Sequence, residues 1–327
     1  MRIWFFGTPS LSASVLEDLI STPDIEVVFV VTNPDKPFGR DQVMRSSPVK
    51  ELAIANNIPV LQPTKIRENT EFFDQLRSYN CDYFIVVAYG RILPLELLEI
   101  PREMCINIHG SILPAYRGAS PIQAALLHGE KETGVTIMEM SEGMDEGDIL
   151  KIRTIIIDPE ETSTSLFAKF AQLSGPTLIQ TLRELEKGGI TPLPQDPSLA
   201  TYCKKIDKED WLIDWSKSAK EIYQKWQAYT PWPGIYAMYE GKRLLLEWVS
   251  LLSHSDEGRI QSSKSLDPSQ AQDDENIGQV VKLEDGQIGV ICGEWVLTLH
   301  TVKLEWKKSQ SIKDFVNGNQ NFIWVTL

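Results

Sequence analysis

Early stretches of this chain are apolar at every position, which constrains its fold more than any other feature. Ile3-Trp4-Phe5-Phe6, Val27-Val28-Phe29-Val30-Val31 and Tyr83-Phe84-Ile85-Val86-Val87-Ala88 contain no polar break. A strand with one wet face alternates apolar and polar side chains, whereas a strand apolar throughout must be covered on both faces. Between these runs lie helical patterns, such as Leu11, Val15, Leu16 and Leu19. Strands at 26–32, 81–89, 104–109, 134–140 and 149–157 and helices at 49–56 and 121–128 complete the pattern. It describes an α/β fold with a doubly wound, mostly parallel sheet, and ligands are expected at the carboxyl ends of its strands. Thr8, Tyr89, His109 and the loop after Met140 are placed near that edge. A helical region at 163–187 closes the unit, with Gly175-Pro176 expected to divide or kink it.

Beyond it the pattern changes. Gly188, Gly189, Pro192, Pro194 and Pro197 have linker composition. Short strands are then expected at 235–238, 243–252, 278–283, 287–291 and 295–303, with turns at Asp285-Gly286 and Cys292-Gly293. We expect a first domain over 1–189, a linker over 190–206, and a small β-barrel-like domain over 207–327. The polar stretch 254–276 reads as a long loop within it.

The 327 residues suffice for two cores, and 42% hydrophobic with 24% charged residues is globular composition. No apolar run approaches the roughly 20 residues that span a bilayer. The first residues break too soon at Gly7 and Pro9 for a signal peptide, so a cytoplasmic protein without membrane attachment is expected. The four cysteines form no close pair and the histidines show no metal-ligand spacing, so neither a disulfide framework nor a metal site is expected. A net charge of −13 argues against a broadly basic nucleic-acid face, without excluding a local basic patch.

Chemistry enters at Asn107-Ile108-His109-Gly110. Alternation along a strand puts the Asn107 amide and the His109 imidazole on one face. An amide donor can stabilise a developing oxyanion, and a histidine can do the same or shuttle a proton. A carboxylate in the run Glu142-Gly143-Met144-Asp145-Glu146-Gly147-Asp148 could orient or charge that histidine. A lone histidine at a strand end is more often structural, and acidic clusters are more often solvated turns. No phosphate-binding loop, nucleophile elbow or dinucleotide fingerprint accompanies them.

The segment from Asn107 through Ser111-Ile112-Leu113-Pro114-Ala115-Tyr116-Arg117-Gly118-Ala119-Ser120-Pro121-Ile122 resembles the signature of the folate-dependent formyltransferases. Gly134-Val135-Thr136-Ile137-Met138, Asp145-Glu146-Gly147-Asp148, Phe6-Gly7-Thr8-Pro9, Asn33-Pro34-Asp35, Val87-Ala88-Tyr89-Gly90 and Pro231-Trp232-Pro233 extend the likeness over both domains. The resemblance is to members of that family acting on methionyl-tRNA. It implies formyl transfer from 10-formyltetrahydrofolate to the α-amino group of methionine on initiator tRNA, by a monomer needing no metal. It implies Asn107, His109 and Asp145 as the catalytic set. Tyr89, Gly90, Leu93, Ser111, Ile112, Leu113 and Pro114 would line the folate site. Lys36, Arg40 and Arg45 in the inserted stretch 33–48 would contact tRNA, together with Lys204 and Lys205 at the linker exit. Asp41-Gln42 stands where family members often carry further basic residues. Relatives acting on sugar-nucleotide or glycinamide ribonucleotide amines, or releasing formate, share the Asn, His and Asp. The long stretch 33–48, Gly110 after the histidine and the β-rich second domain favour tRNA.

Overall fold

The computed structural model describes residues 1–38, 43–252, 276–283 and 285–327. It forms two compact units. The first comprises Met1–Ile122, Lys131–Ile157 and Ser165–Lys204; the second comprises Gln123–Glu130, Asp158–Thr164 and Lys205–Leu327.

Up to Lys204 the elements are β1 (Arg2–Gly7), α1 (Ser10–Ile20), β2 (Glu26–Val31), β3 (Lys36–Phe38), β4 (Val43–Arg45), α2 (Pro48–Ala55), β5 (Val60–Leu61), α3 (Thr70–Arg77), β6 (Tyr83–Val87), α4 (Leu95–Leu98), β7 (Met104–His109), β8 (Arg117–Gly118), α5 (Pro121–Leu127), β9 (Glu132–Glu139), β10 (Ile149–Ile156), α6 (Ser163–Glu186) and β11 (Tyr202–Cys203). The main sheet runs β10-β9-β7-β6-β1-β2-β5. From β5 to β7 its strands are parallel, and β9 runs antiparallel to both of its neighbours, β7 and β10. Every residue of β6 is buried, as an apolar run covered on both faces requires. From β1 the chain builds outward to β2 and β5 on one side, and from β6 to β7 on the other. Such a reversal leaves a crevice at the carboxyl ends of the two inner strands.

Two local expectations change. The helix at Gly175-Pro176 is neither split nor replaced by two helices, because α6 continues through Pro176 for 24 residues. Burial of Leu166, Phe170, Leu178 and Leu182 along it outweighs the single hydrogen bond that proline omits. The loop after Met140 starts away from the carboxyl edge. Since β9 is antiparallel to β7, Glu139 pairs with Ile106 and the Met140 N–H donates to Cys105 O at 2.8 Å. The stretch 33–48 carries the hairpin β3/β4, with Lys36 paired to Arg45.

The second unit adds α7 (Ala219–Tyr229), β12 (Ile235–Tyr239), β13 (Lys242–Leu251), β14 (Val280–Lys282), β15 (Ile288–Ile291), β16 (Val296–Leu304), β17 (Gln310–Ser311) and α8 (Ile312–Gly318). Its antiparallel sheet has the order β12-β13-β16-β15-β14, with β17 on β16, and curls as a half-barrel. Neither helix was expected. Ser218 and Glu221 form a capping box at α7, whose Ile222, Trp226 and Tyr229 bury one face; Ser311 caps α8. Trp215 is buried as well, and Trp232 is 65% exposed. Except for Asn276, the polar stretch 254–276 lies outside the described residues. Among the described residues no helix is long and apolar enough to cross a membrane.

Candidate active site

Strand β7 carries the site because its face changes character along its length. Cys105 packs into the core with Trp4, Phe6 and Phe84, while Asn107 and His109 continue the same face toward the carboxyl edge. The loop rooted at Cys105 folds back over this face and delivers Asp145. Its closing contact is the Glu139 N–H donating to Asp148 O at 2.9 Å. Gly147 is required there, since a Cβ would lie 1.9 Å from Glu139 O. Asp145 itself adopts a left-handed conformation, φ 54°. Aspartate tolerates that region better than most residues.

The three residues meet. Asp145 Oδ1 accepts from Asn107 Nδ2 at 3.4 Å, and Asp145 Oδ2 accepts from the Gly118 N–H at 2.8 Å. His109 Nδ1 lies 3.5 Å from Asp145 Oδ2, and its Nε2 lies 2.9 Å from Tyr116 O. Both ring nitrogens of this buried histidine therefore face oxygen acceptors. Asn107 keeps its second amide hydrogen for another acceptor.

The surrounding loops are tied by internal hydrogen bonds. Ser111 Oγ donates to Ala115 O at 2.5 Å, and Thr136 Oγ1 donates to Ser111 O at 2.6 Å. Leu113–Pro114 is a cis peptide. Ser111 and Leu113 are buried, leaving Ile112 and Pro114 half-buried at the surface of this turn. Tyr89 is also a core residue, its ring edge-on to Phe6 at 5.7 Å. Burial pushes its hydroxyl pKa up to about 12. Leu93 is buried in the same cluster, whereas Gly90 is exposed with φ 74°. Of that trio, only Gly90 presents itself to solvent. Asn33 Nδ2 donates to Thr8 Oγ1 at 3.0 Å and Tyr89 O at 2.8 Å, joining the ends of β1, β2 and β6. Arg91 Nε donates to Asn33 Oδ1 at 2.7 Å and steadies that junction.

Lys36 and Arg45 stand opposite each other on the β3/β4 hairpin, an arrangement that concentrates positive charge. Arg40 lies outside the described residues. Lys204, the last residue of the first unit, and Lys205, which belongs to the second, are both exposed.

Sequence reasoning passed over several side chains that hold the site. Arg117 is 3% exposed, and its Nε and Nη2 donate to Gln195 Oε1 at 3.1 and 2.8 Å. Gln195 Nε2 in turn donates to Asp145 O at 2.9 Å and Gly147 O at 2.7 Å. Strand β11 pairs with β8, and the Tyr116 N–H donates to Thr201 Oγ1 at 2.8 Å. Arg117 stood within the quoted motif, where a charged residue destined for burial gives no separate signal. Gln195 is one polar residue among prolines.

Comparison with known proteins matches residues 1–182 to the family described as Formyl transferase, and residues 205–320 to Formyl transferase, C-terminal domain. A relative from Caldicellulosiruptor saccharolyticus, named Methionyl-tRNA formyltransferase, is 40% identical over 318 residues, 97% of each chain. Another of that name from Synechococcus sp. is 42% identical over 323 residues, covering 98% of this chain and 96% of the relative. Among solved structures, HypX from Aquifex aeolicus in complex with tetrahydrofolic acid shares the fold, with a TM-score of 0.60 and 18% identity. That match covers 99% of this chain and 48% of HypX, so the chain spans about half the length of that protein.

Proposed function

The chain belongs to the formyl transferase family, and from that premise we propose that it moves a formyl group from 10-formyltetrahydrofolate to the α-amino group of methionine on initiator methionyl-tRNA. One observation carries the assignment of the chemistry. Asp145, brought in from a separate loop, lies within contact distance of both Asn107 and His109. The near-full-length relatives support the acceptor, since both bear the name of an enzyme acting on methionyl-tRNA.

The neutral amine attacks the formyl carbon. The tetrahedral intermediate then breaks its bond to N10, which leaves on tetrahydrofolate with a proton as the new amide nitrogen gives one up. The protein must orient both groups and stabilise the oxyanion between these steps. The free hydrogen of the Asn107 amide is suited to donate to the carbonyl oxygen as negative charge develops there. His109 can join it by exchanging the Tyr116 carbonyl for the substrate oxygen. Asp145 orients the imidazole from the other side. Gly90, Ile112 and Pro114 form the exposed part of the folate surface in this reading, with Tyr89, Leu93, Ser111 and Leu113 packed beneath them. Gly90 suits a close approach, because even a built Cβ there meets nothing within 4 Å. Lys36, Arg40, Arg45, Lys204 and Lys205 contact tRNA phosphates, which act on charge whatever the net −13 of the chain. Domain limits of 1–189, 190–206 and 207–327, a tRNA-binding second domain, a monomer and a cytoplasmic setting belong to the same reading.

The test supplies labelled 10-formyltetrahydrofolate with initiator methionyl-tRNA, elongator methionyl-tRNA or an amino-sugar nucleotide. Label should pass to the initiator tRNA. Transfer to the amino sugar alone would overturn the proposal.

A further inference from the structure

Gln195 lies in a stretch whose composition is that of a spacer, yet its side chain is fully committed. Its amide orientation follows from its partners: Arg117 can only donate and the two loop carbonyls can only accept. Oε1 therefore receives the guanidinium, while Nε2 donates to Asp145 O and Gly147 O. The charge of Arg117 polarises the amide and strengthens those two donors. Arg117 is itself balanced by Glu146 Oε1 at 3.6 Å and by the Tyr202 hydroxyl at 3.4 Å.

We propose that Gln195, backed by Arg117, is the positioning residue for Asp145, so that the segment 195–203 is a working part of the site; this rests on the reading of Asp145 given above. Asp145 is held from both ends. Gln195 fixes its carbonyl and keeps the backbone in the left-handed conformation that aims the carboxylate at Asn107 and His109. At the other end, Gly118 gives its N–H to Asp145 Oδ2, and β11 sets the place of Gly118. The two backbones meet so closely that a Cβ on Gly118, φ 116°, would lie 2.3 Å from Cys203 O. The Arg117 N–H donates to Thr201 O at 2.8 Å, completing the second grip. The polar contacts of Gln195 run to Arg117, Asp145 O and Gly147 O, and those of the Arg117 guanidinium to Gln195, Glu146 and Tyr202, so both act through Asp145.

Two substitutions in the full-length protein separate positioning from space-filling. Gln195→Leu keeps the volume and removes the hydrogen bonds. Gln195→Glu keeps the volume and the Arg117 pairing, but turns a carboxylate oxygen toward two carbonyl oxygens. Both should lower kcat for initiator methionyl-tRNA by roughly 10- to 100-fold, with either KM changed less than about threefold, the penalty expected for a misplaced reacting group. In an Asp145→Ala background, adding Gln195→Leu should change the residual rate less than about twofold, because the group it positions is gone. Amide exchange at Gly118 should quicken in Gln195→Leu, a readout that needs no turnover. Full turnover of Gln195→Glu, equal losses in both backgrounds, or unaltered Gly118 exchange would each overturn the proposal. An inactive wild-type protein in the same assay would count against the proposed function instead, leaving the exchange measurement to decide this one.

Discussion

Changing Asp145 to asparagine removes one charge and keeps most of the local structure. Asparagine, like aspartate, tolerates the left-handed region that Asp145 occupies at φ 54°. Its Oδ1 can still accept the Gly118 N–H, and its backbone carbonyl still receives Gln195 Nε2. What disappears is the second carboxylate oxygen, which receives the Asn107 amide at 3.4 Å, together with the negative charge that His109 Nδ1 faces at 3.5 Å. A hydrogen bond to a charged acceptor is worth about 1.5 to 3 kcal/mol, and these contacts are largely buried, with His109 5% and Asp145 18% exposed. At roughly 1.4 kcal/mol per tenfold in rate, kcat should fall by about 10- to 150-fold. Single-turnover formylation of initiator methionyl-tRNA by Asp145→Asn, with both substrates saturating, measures this directly. KM should move little, since the lost interaction acts on the reacting groups. A kcat within about fivefold of wild type, or a loss lying wholly in KM, would refute the assignment of the charge to the chemical step.

Further outcomes follow from other parts of the molecule. Gly147→Ala puts a methyl group where Glu139 O stands, so the loop must shift, and both the melting temperature and kcat should drop; an active, equally stable variant would show that the loop root can give. Lys36→Ala and Lys205→Ala should each weaken tRNA binding and reduce the slope of log affinity against log salt by roughly one, with folate KM unchanged. A slope equal to wild type would remove that side chain from the phosphate contacts. In the second unit, burial holds the His300 imidazole below its usual pKa of 6.5, beside the Ser250 hydroxyl and stacked on Trp248 at 4.3 Å. The unfolded chain takes up that proton more readily, so this contribution is complete above about pH 6.5 and declines as pH falls through the lower native value. Melting curves at about pH 7 and pH 5.5 should show wild type losing more stability than His300→Gln; equal losses would exclude His300 as the cause.

Much of the first unit was legible because burial on both faces leaves an unmistakable mark on a strand. Strand β7 was read at its observed limits, and β1, β2 and β6 within a residue or two. Helices α7 and α8 were missed in a region read for strands, although Ile222, Trp226 and Tyr229 carry a helical spacing. Tyr89 and Leu93, which the resemblance puts at the folate site, are buried in the core cluster. Motif membership does not distinguish the side that faces a ligand from the side that supports it.

Alternation along one strand was enough, from sequence alone, to put Asn107 and His109 on a common face, and the ordered motifs pointed to a carboxylate in the run 142–148. Those are local relations, set by a period of two and by residue chemistry. The tertiary structure alone decided that the loop starts at Cys105 and folds back, that Tyr116 O occupies the second ring nitrogen, and that Gln195 and Arg117 hold Asp145. Antiparallel pairing of β9 and docking of a linker-like segment create these contacts between residues far apart in the chain. No local pattern encodes such distances, because they are the outcome of packing the whole unit.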